Sequence, residues 1–445
     1  MELRDFIVTP IIIFLVYAGA YWIRPRVTDS INKKYFIPAL TVRIMGALAV
    51  GFLYQFYYGG GDTFNYHTHG SRVIWEAFMD SPLTGLKLLL ANGGHEPTTY
   101  SYSSKIWYFR DQQSYFLICI SAILDLVTFS SYSATAVLFA LIGFSGSWLL
   151  FRAFHDIHPG FHSWIAFSAL FVPTVCFWGS GIFKDTITLA ALGVITYSFY
   201  QVFFLRKLVA TNTFMVLISF WVIYSMKKYI LLSFLPALIL WVVVANVGRI
   251  RPVVARILVV PIALVVAAIL GYYSILKVGE DDPRYRVSKL AETAKVTAYD
   301  IRYGWGARTG EGSGYTLGTL DGSWASLVRL APSAINVSLF RPYLWEIRNP
   351  LMLLSGLESL LFLVVTIWVM VKARKNLFYC LKKPEVIFCL AFAIIFAFAV
   401  GVSTFNFGTL SRYKIPMEPF YLLGIGLVYF HSKRDRKLEA LDKTE

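Results

Sequence analysis

The sequence predicts an all-helical fold: a polytopic membrane helix bundle of roughly 10–13 spanning helices forming one integral membrane domain over residues 1–445. Three observations predict it. Hydrophobic residues make up 57% of the chain and charged residues only 15%, where a soluble domain carries about 25% charge. Mean hydropathy is +0.60, so most of the chain prefers an apolar solvent. Apolar windows near the ~20-residue length that crosses a bilayer follow one another along the chain. A soluble fold would need an implausibly large dry core.

The expected spans are 6–23, 36–58, 115–129, 134–151, 164–178, 186–205, 214–224, 231–247, 253–275, 351–371, 386–402 and 419–430. The N-terminal run lacks a basic leading region and a clear cleavage site, so it is expected to be a retained first helix. The four cysteines, Cys119, Cys176, Cys380 and Cys389, form no Cys-x-x-Cys pair and lie mostly in apolar runs. They are expected to pack rather than to bind zinc or build a disulfide framework.

Net charge is +15. The lysines and arginines gather in short loops beside apolar runs, at Arg24–Lys34, Arg206–Lys207, Arg249–Arg256, in KARKN and in the C-terminal HSKRDRK. That is the positive-inside pattern of cytoplasmic loops, with anionic lipid headgroups as neighbours. No basic stripe with interleaved aromatics occurs in a soluble segment, so nucleic acid is not an expected partner. The loops 59–114 and 277–350 then face outward. Within the first, SRVIWEAFMDSPLTGLKLLL has helical apolar spacing and suits a helix lying flat in the interface or capping the bundle. The span inventory leaves a conflict: Asp62 and Lys184 share one face only if an even number of crossings separates them, and three are expected. Either one apolar run is re-entrant or residues 83–90 help to form a crossing.

Four polar clusters flank these spans. In YYGGGDTFNYHTHG, three glycines allow a sharp turn and Asp62 follows at the membrane surface. A carboxylate beside low-dielectric surroundings suits a general base. It equally suits a helix cap. Tyr66 lies one helical turn on. His67 and His69, with Asp62, have the residue types of a metal site, yet His-x-His serves as well to bind phosphate or to face water. A divalent metal is therefore not supported, and no cofactor is expected. In FVPTVCFWGSGIFKDTITL, a Gly-Ser-Gly turn precedes Lys184 and Asp185. These residues suit either phosphate binding or a cap with a snorkelling lysine. In NFGTLSRYKIPMEP, Arg412 and Lys414 place positive charge on the outer side, against the general trend, as do Lys227 and Lys228. A lipid-linked phosphate is the natural anion at that depth. In LFRPYLWEIRNP, Arg341, Trp345, Glu346 and Arg348 suit sugar or headgroup contact, or an interface anchor.

GGGDTFNY, the turn before Lys184–Asp185 and GTLSRYKIPMEP together resemble the GT-C class of integral membrane glycosyltransferases and the related bacterial polysaccharide-polymerase-type proteins. The resemblance implies a polyprenyl-phosphate-linked sugar as donor and Asp62 as base in the first large outer loop. It also implies Arg412 and Tyr413 at the lipid phosphate. Two features depart from the usual pattern: an extra span precedes the acidic loop, and Asp62 is followed by Thr63 rather than a second acid.

The implied reaction moves a sugar to a glycan or glycolipid acceptor on the outer face of a membrane, expected to be the bacterial inner membrane. The anomeric centre inverts. Asp62 takes the acceptor proton, and Arg412, Lys184 or Lys228 stabilises the leaving phosphate. An O-antigen-type polymerase is the neighbouring alternative. A secondary transporter or lipid-linked oligosaccharide flippase is the alternative of another class. No internal repeat supports it, and Asp125 alone looks deep.

Overall fold

The computed structural model describes residues 2–247, 314–318, 324–404 and 406–441, with Glu292, Lys295, Val296 and Tyr299. The described residues are helical apart from connections and one isolated bridge, Gly314 to Asn406. The chain divides into two compact units, Met1–Lys227 and Lys228–Glu445. Among the described residues, eight helices are long and apolar enough to cross a membrane: Leu3–Val27, Lys33–Tyr57, Tyr132–Ile157, Lys184–Leu205, Val209–Met226, Lys228–Asn246, Pro350–Ala373 and Pro384–Thr404. The protein is thus a multi-pass integral membrane protein. The expected span at 253–275 lies outside the described residues.

In unit 1, α1 (Leu3–Val27) and α2 (Lys33–Phe52, continued by a π-turn to Tyr57) pack with α8 (Tyr132–Ile157). The closest helix pair is α8 and α11 (Lys184–Tyr200). A Cβ on Gly193 would lie 1.9 Å from the Gly146 carbonyl oxygen, and one on Gly146 would lie 2.2 Å from Ala190 Cα. Small residues let backbones approach where lipid removes any hydrophobic drive between helices. Gly143 meets Thr186, whereas Gly146 meets Ala190 and Gly193. The two helices therefore run parallel, and the chain between them must return across the bundle.

That return is broken. The expected span 164–178 is two short helices, α9 (His162–Leu170) and α10 (Pro173–Trp178). Pro173 disfavours helical geometry at the residue before it, and Val172 is extended, with ψ 121°. Carbonyls at the C-terminal end of a helix need partners that lipid cannot provide. At the C-terminal end of α10, Arg43, 1% exposed near the middle of α2, supplies donors. Its Nη1 donates to the carbonyls of Val175 (3.0 Å) and Gly179 (2.7 Å), and its Nη2 to Ser147 Oγ (2.6 Å). Residues 179–183 then climb along α2, with Gly181 against Val50 and Phe183 against Tyr54.

The expected span 115–129 is corrected as well. It forms α7 (Gln112–Thr128). At one end of α7, Asp111 lies 3.8 Å from Lys184 Nζ at the start of α11. At the other, Asp125 accepts from Thr135 in the first turn of α8 (2.6 Å). Because α8 and α11 are parallel, both ends of α7 lie at the same end of the bundle. The helix lies across it, burying Leu117, Ile118 and Ala122. Two crossings, α8 and the α9–α10 segment, then separate Asp62 from Lys184, and the parity conflict disappears.

The stretch 71–90 is likewise two helices, α4 (Arg72–Asp80) and α5 (Pro82–Leu89), parted at Ser81 before Pro82. The short α3 (Asp62–Tyr66) and α6 (Tyr100–Ser103) flank them. At the opposite end of the bundle, Tyr35 bonds His162 (2.8 Å) and Arg152 donates to the Val27 carbonyl (2.5 Å). The basic loop 24–34 therefore lies at the end away from Asp62. Helix α12 (Val209–Met226) packs on α11 and completes the unit.

Unit 2 contains α13 (Lys228–Asn246), α14 (Trp324–Phe340), α15 (Pro350–Ala373), α16 (Leu377–Cys380), α17 (Pro384–Thr404), α18 (Phe407–Tyr413) and α19 (Glu418–Leu441). Helix α17 is its axis. Phe234 of α13 meets Phe388 and Phe392 of α17 edge-on, and Gly401 lies against the Ala334 carbonyl of α14. Residues 277–350 are expected as a long outer loop; α14 occupies part of its C-terminal portion.

Candidate functional site

Gly59, Gly60 and Gly61 take φ of 67°, 132° and 130°, a region L-residues avoid. A Cβ on Gly61 would also strike Tyr54 at 2.7 Å. These two constraints explain the glycine run. Gly61 is the N-cap of α3 and Asp62 its first residue, so Asp62 is not the cap itself. It stays half-buried, whereas Tyr66, 5% exposed, turns inward onto Tyr108. Thr63, next to Asp62, pairs its hydroxyl with Tyr132 (2.7 Å).

The other predicted residues of unit 1 lie at the same end. Tyr54, packed on Gly61, also meets Phe183, the residue before Lys184 (ring centroids 5.7 Å). Asp185 is 0% exposed and forms an ion pair with Lys227 at the end of α12. The sequence reading selected Lys228 for this end; the partner of Asp185 is Lys227, while Lys228 opens α13 in unit 2.

His67 and His69 part company in a π-turn. His67 is fully buried, with Nε2 3.4 Å from Asp125. His69 stacks on Trp107, with centroids 4.3 Å apart and planes at 9°. Asp62, His67 and His69 do not gather into one ligand set. Asp125, deep in the sequence reading, sits in this end layer and accepts from Ser71 and Thr135 (both 2.6 Å).

In unit 2, Arg341 binds the Glu346 carboxylate through Nε and Nη2. Its guanidinium lies 5.4–5.8 Å from the ring centres of Phe407, Tyr315 and Tyr343. The hydrogen bond to Glu346 holds Arg341 above its ordinary pKa. Burial alone would raise Glu346. The Arg341 hydrogen bond and charge and the Tyr343 amide outweigh it, and the carboxyl falls below its ordinary value. Arg412 and Tyr413, both half-buried, close α18, and Lys414 follows, 3.3 Å from Glu418. The expected phosphate-binding residues therefore divide between the units: Lys184 in the first, Lys228, Arg341, Arg412 and Tyr413 in the second.

Chemically, unit 1 offers a half-buried carboxylate beside a hydroxyl pair, on the end that also carries two lysines. One carboxylate can accept a proton, and a lysine can offset an oxyanion. Sequence reasoning missed Arg43 and, though it named Lys227, the pairing of Lys227 with Asp185. A lone arginine in an apolar window was the available signal for Arg43. Compared with family models, curated proteins and solved structures, the chain matches none.

Proposed function

We propose that this protein is a membrane glycosyltransferase of GT-C type. It moves a sugar from a polyprenyl-phosphate-linked donor to an acceptor at the end of the bundle that carries Asp62. The observation that carries this reading is the placement of Asp62. It opens a helix after a glycine turn, opposite the basic loop, with Lys184 reached through the shared Tyr54 contact. In the proposed reaction Asp62 accepts the acceptor hydroxyl proton as the oxygen attacks the anomeric carbon. The phosphate departs with its electron pair from the opposite face, so the single displacement inverts that centre. Lys184 is the proposed contact of the leaving phosphate. Bacterial inner membrane is the proposed location. Profiling lipid-linked intermediates and surface glycans by mass spectrometry with and without the gene tests it. Loss of one sugar from the glycan and accumulation of the lipid-linked donor are expected; identical profiles would contradict it.

The discontinuous α9–α10 segment favours a second reading, a transporter or flippase, because broken helices line many transport sites. Here Arg43 is committed to the end of α10 and to Ser147, and Asp62, Asp125, Lys184 and the Asp185–Lys227 pair lie at one end of unit 1. Transfer therefore stays first. Transport would move a labelled lipid-linked sugar across a liposome without changing its mass; transfer or polymerisation changes the mass.

A further inference from the structure

A lateral groove of about 580 Å³ opens between α1 and α2, in the half of unit 1 nearer Asp62. On α1 it runs from Asp5 to Tyr17, about 18 Å at helical rise. Its walls are apolar, with Phe6, Ile13 and Phe14 facing Leu48 and Phe52. Both helices are of spanning length, so the groove opens sideways to lipid.

Apart from Tyr17 at the far end, whose hydroxyl is paired with Thr41 (2.6 Å), its polar groups lie toward one end. Thr9 lines the groove, is 8% exposed, and its hydroxyl has no hydrogen-bond partner. A helical threonine usually bonds the carbonyl one turn back; this one does not. One turn above, the Asp5 carboxylate accepts from Ser131 Oγ (2.7 Å), the Ser133 amide (3.3 Å) and the Glu2 amide (2.8 Å). The lining thus holds one acid and no base. The nearby cations, Arg4 and Arg72, are each bound to Glu2 at 2.6 Å. An anionic head meets a carboxylate there, whereas a neutral head with a hydroxyl finds an acceptor in Asp5 and a partner in Thr9. The head end of the groove also adjoins the candidate site: Ser133 follows Tyr132, whose hydroxyl pairs with Thr63 beside Asp62.

The geometry points to a site for a single-chain lipid with a neutral, hydroxyl-bearing head, the chain lying along α1 and the head at Asp5 and Thr9. Its role as the acceptor in sugar transfer rests on the function proposed above; the binding does not.

Purified full-length protein in nanodiscs is photolabelled with hexadecanol carrying a mid-chain diazirine, and separately with its phosphate monoester. Labelled peptides are quantified by mass spectrometry. The alcohol is expected to label α1 and α2 about tenfold more than the exposed apolar face of α12 around Phe214 and Leu217. The phosphate is expected to label the groove less than the alcohol. Thr9→Trp and, independently, Ile13→Trp should abolish groove labelling and leave α12 labelling unchanged. Equal labelling of groove and α12 face, or preference for the phosphate, overturns the proposal in the wild-type protein alone. Labelling that persists in a folded Trp variant overturns it too. Because no transfer is measured, these outcomes are independent of whether Asp62 is a base.

Discussion

Asp185 and Lys227 form an ion pair sealed inside unit 1, with 0% and 8% of the residues exposed. The pair ties the first turn of α11 to the end of α12. Removing one partner from such a pair strands a charge in the interior, at a cost of about 3–5 kcal/mol. Asp185→Asn should therefore lower the thermal midpoint of the detergent-solubilised protein strongly. Asp185→Leu combined with Lys227→Met should recover most of the loss. A single-variant cost under about 1 kcal/mol, the range of exposed pairs, would contradict burial of the pair.

Arg43 holds the end of α10 by two hydrogen bonds, to Val175 and Gly179, and ties it to α8 by a third, to Ser147. Arg43→Met leaves the Val175 and Gly179 carbonyls without these donors. Hydrogen exchange should rise in residues 173–183 and stay unchanged in α8. Unchanged exchange across 173–183 would show that the guanidinium does not hold the segment.

The α8–α11 contact depends on Gly193, whose added Cβ would meet backbone rather than a movable side chain. Gly193→Ala should cost about 1–3 kcal/mol by overpacking. Gly19, with nothing within 4 Å of its added Cβ, is the control: Gly19→Ala should cause no loss of thermal stability.

The Arg341–Glu346 pair sets a pH dependence in unit 2. The Glu346 carboxyl lies below its ordinary value of 4.5 in the folded protein. Its contribution to stability is then fully present above that ordinary value and disappears as pH falls through the lowered one. Acid-induced loss of stability below about pH 4.5 should be shallower in Glu346→Gln than in wild type. Parallel acid profiles of the two proteins would contradict this.

The helical membrane architecture was legible because long apolar windows have few other uses. The glycine turn before Asp62 was legible for a local reason: three consecutive glycines in a chain of apolar spans mark backbone that L-residues avoid. Other features depend on contacts between distant segments. Apolar content does not distinguish α7, which lies across the bundle end, from a crossing helix, since Leu117, Ile118 and Ala122 would be apolar in either case. Lys227 and Lys228 are neighbours in sequence, and only the packing of α12 on α11 directs Lys227 to Asp185. Arg43 was passed over because one arginine barely lowers the hydropathy of its window. Its carbonyl partners lie more than 130 residues away.

The most direct test of sugar transfer is turnover by purified Asp62→Asn in proteoliposomes supplied with a radiolabelled polyprenyl-phosphate sugar and a membrane lipid extract. With thermal stability and donor binding unchanged, turnover should fall about 10²–10⁴-fold, the share of a general base. Turnover close to wild type in the folded variant would contradict the assignment of Asp62 and the transfer mechanism built on it.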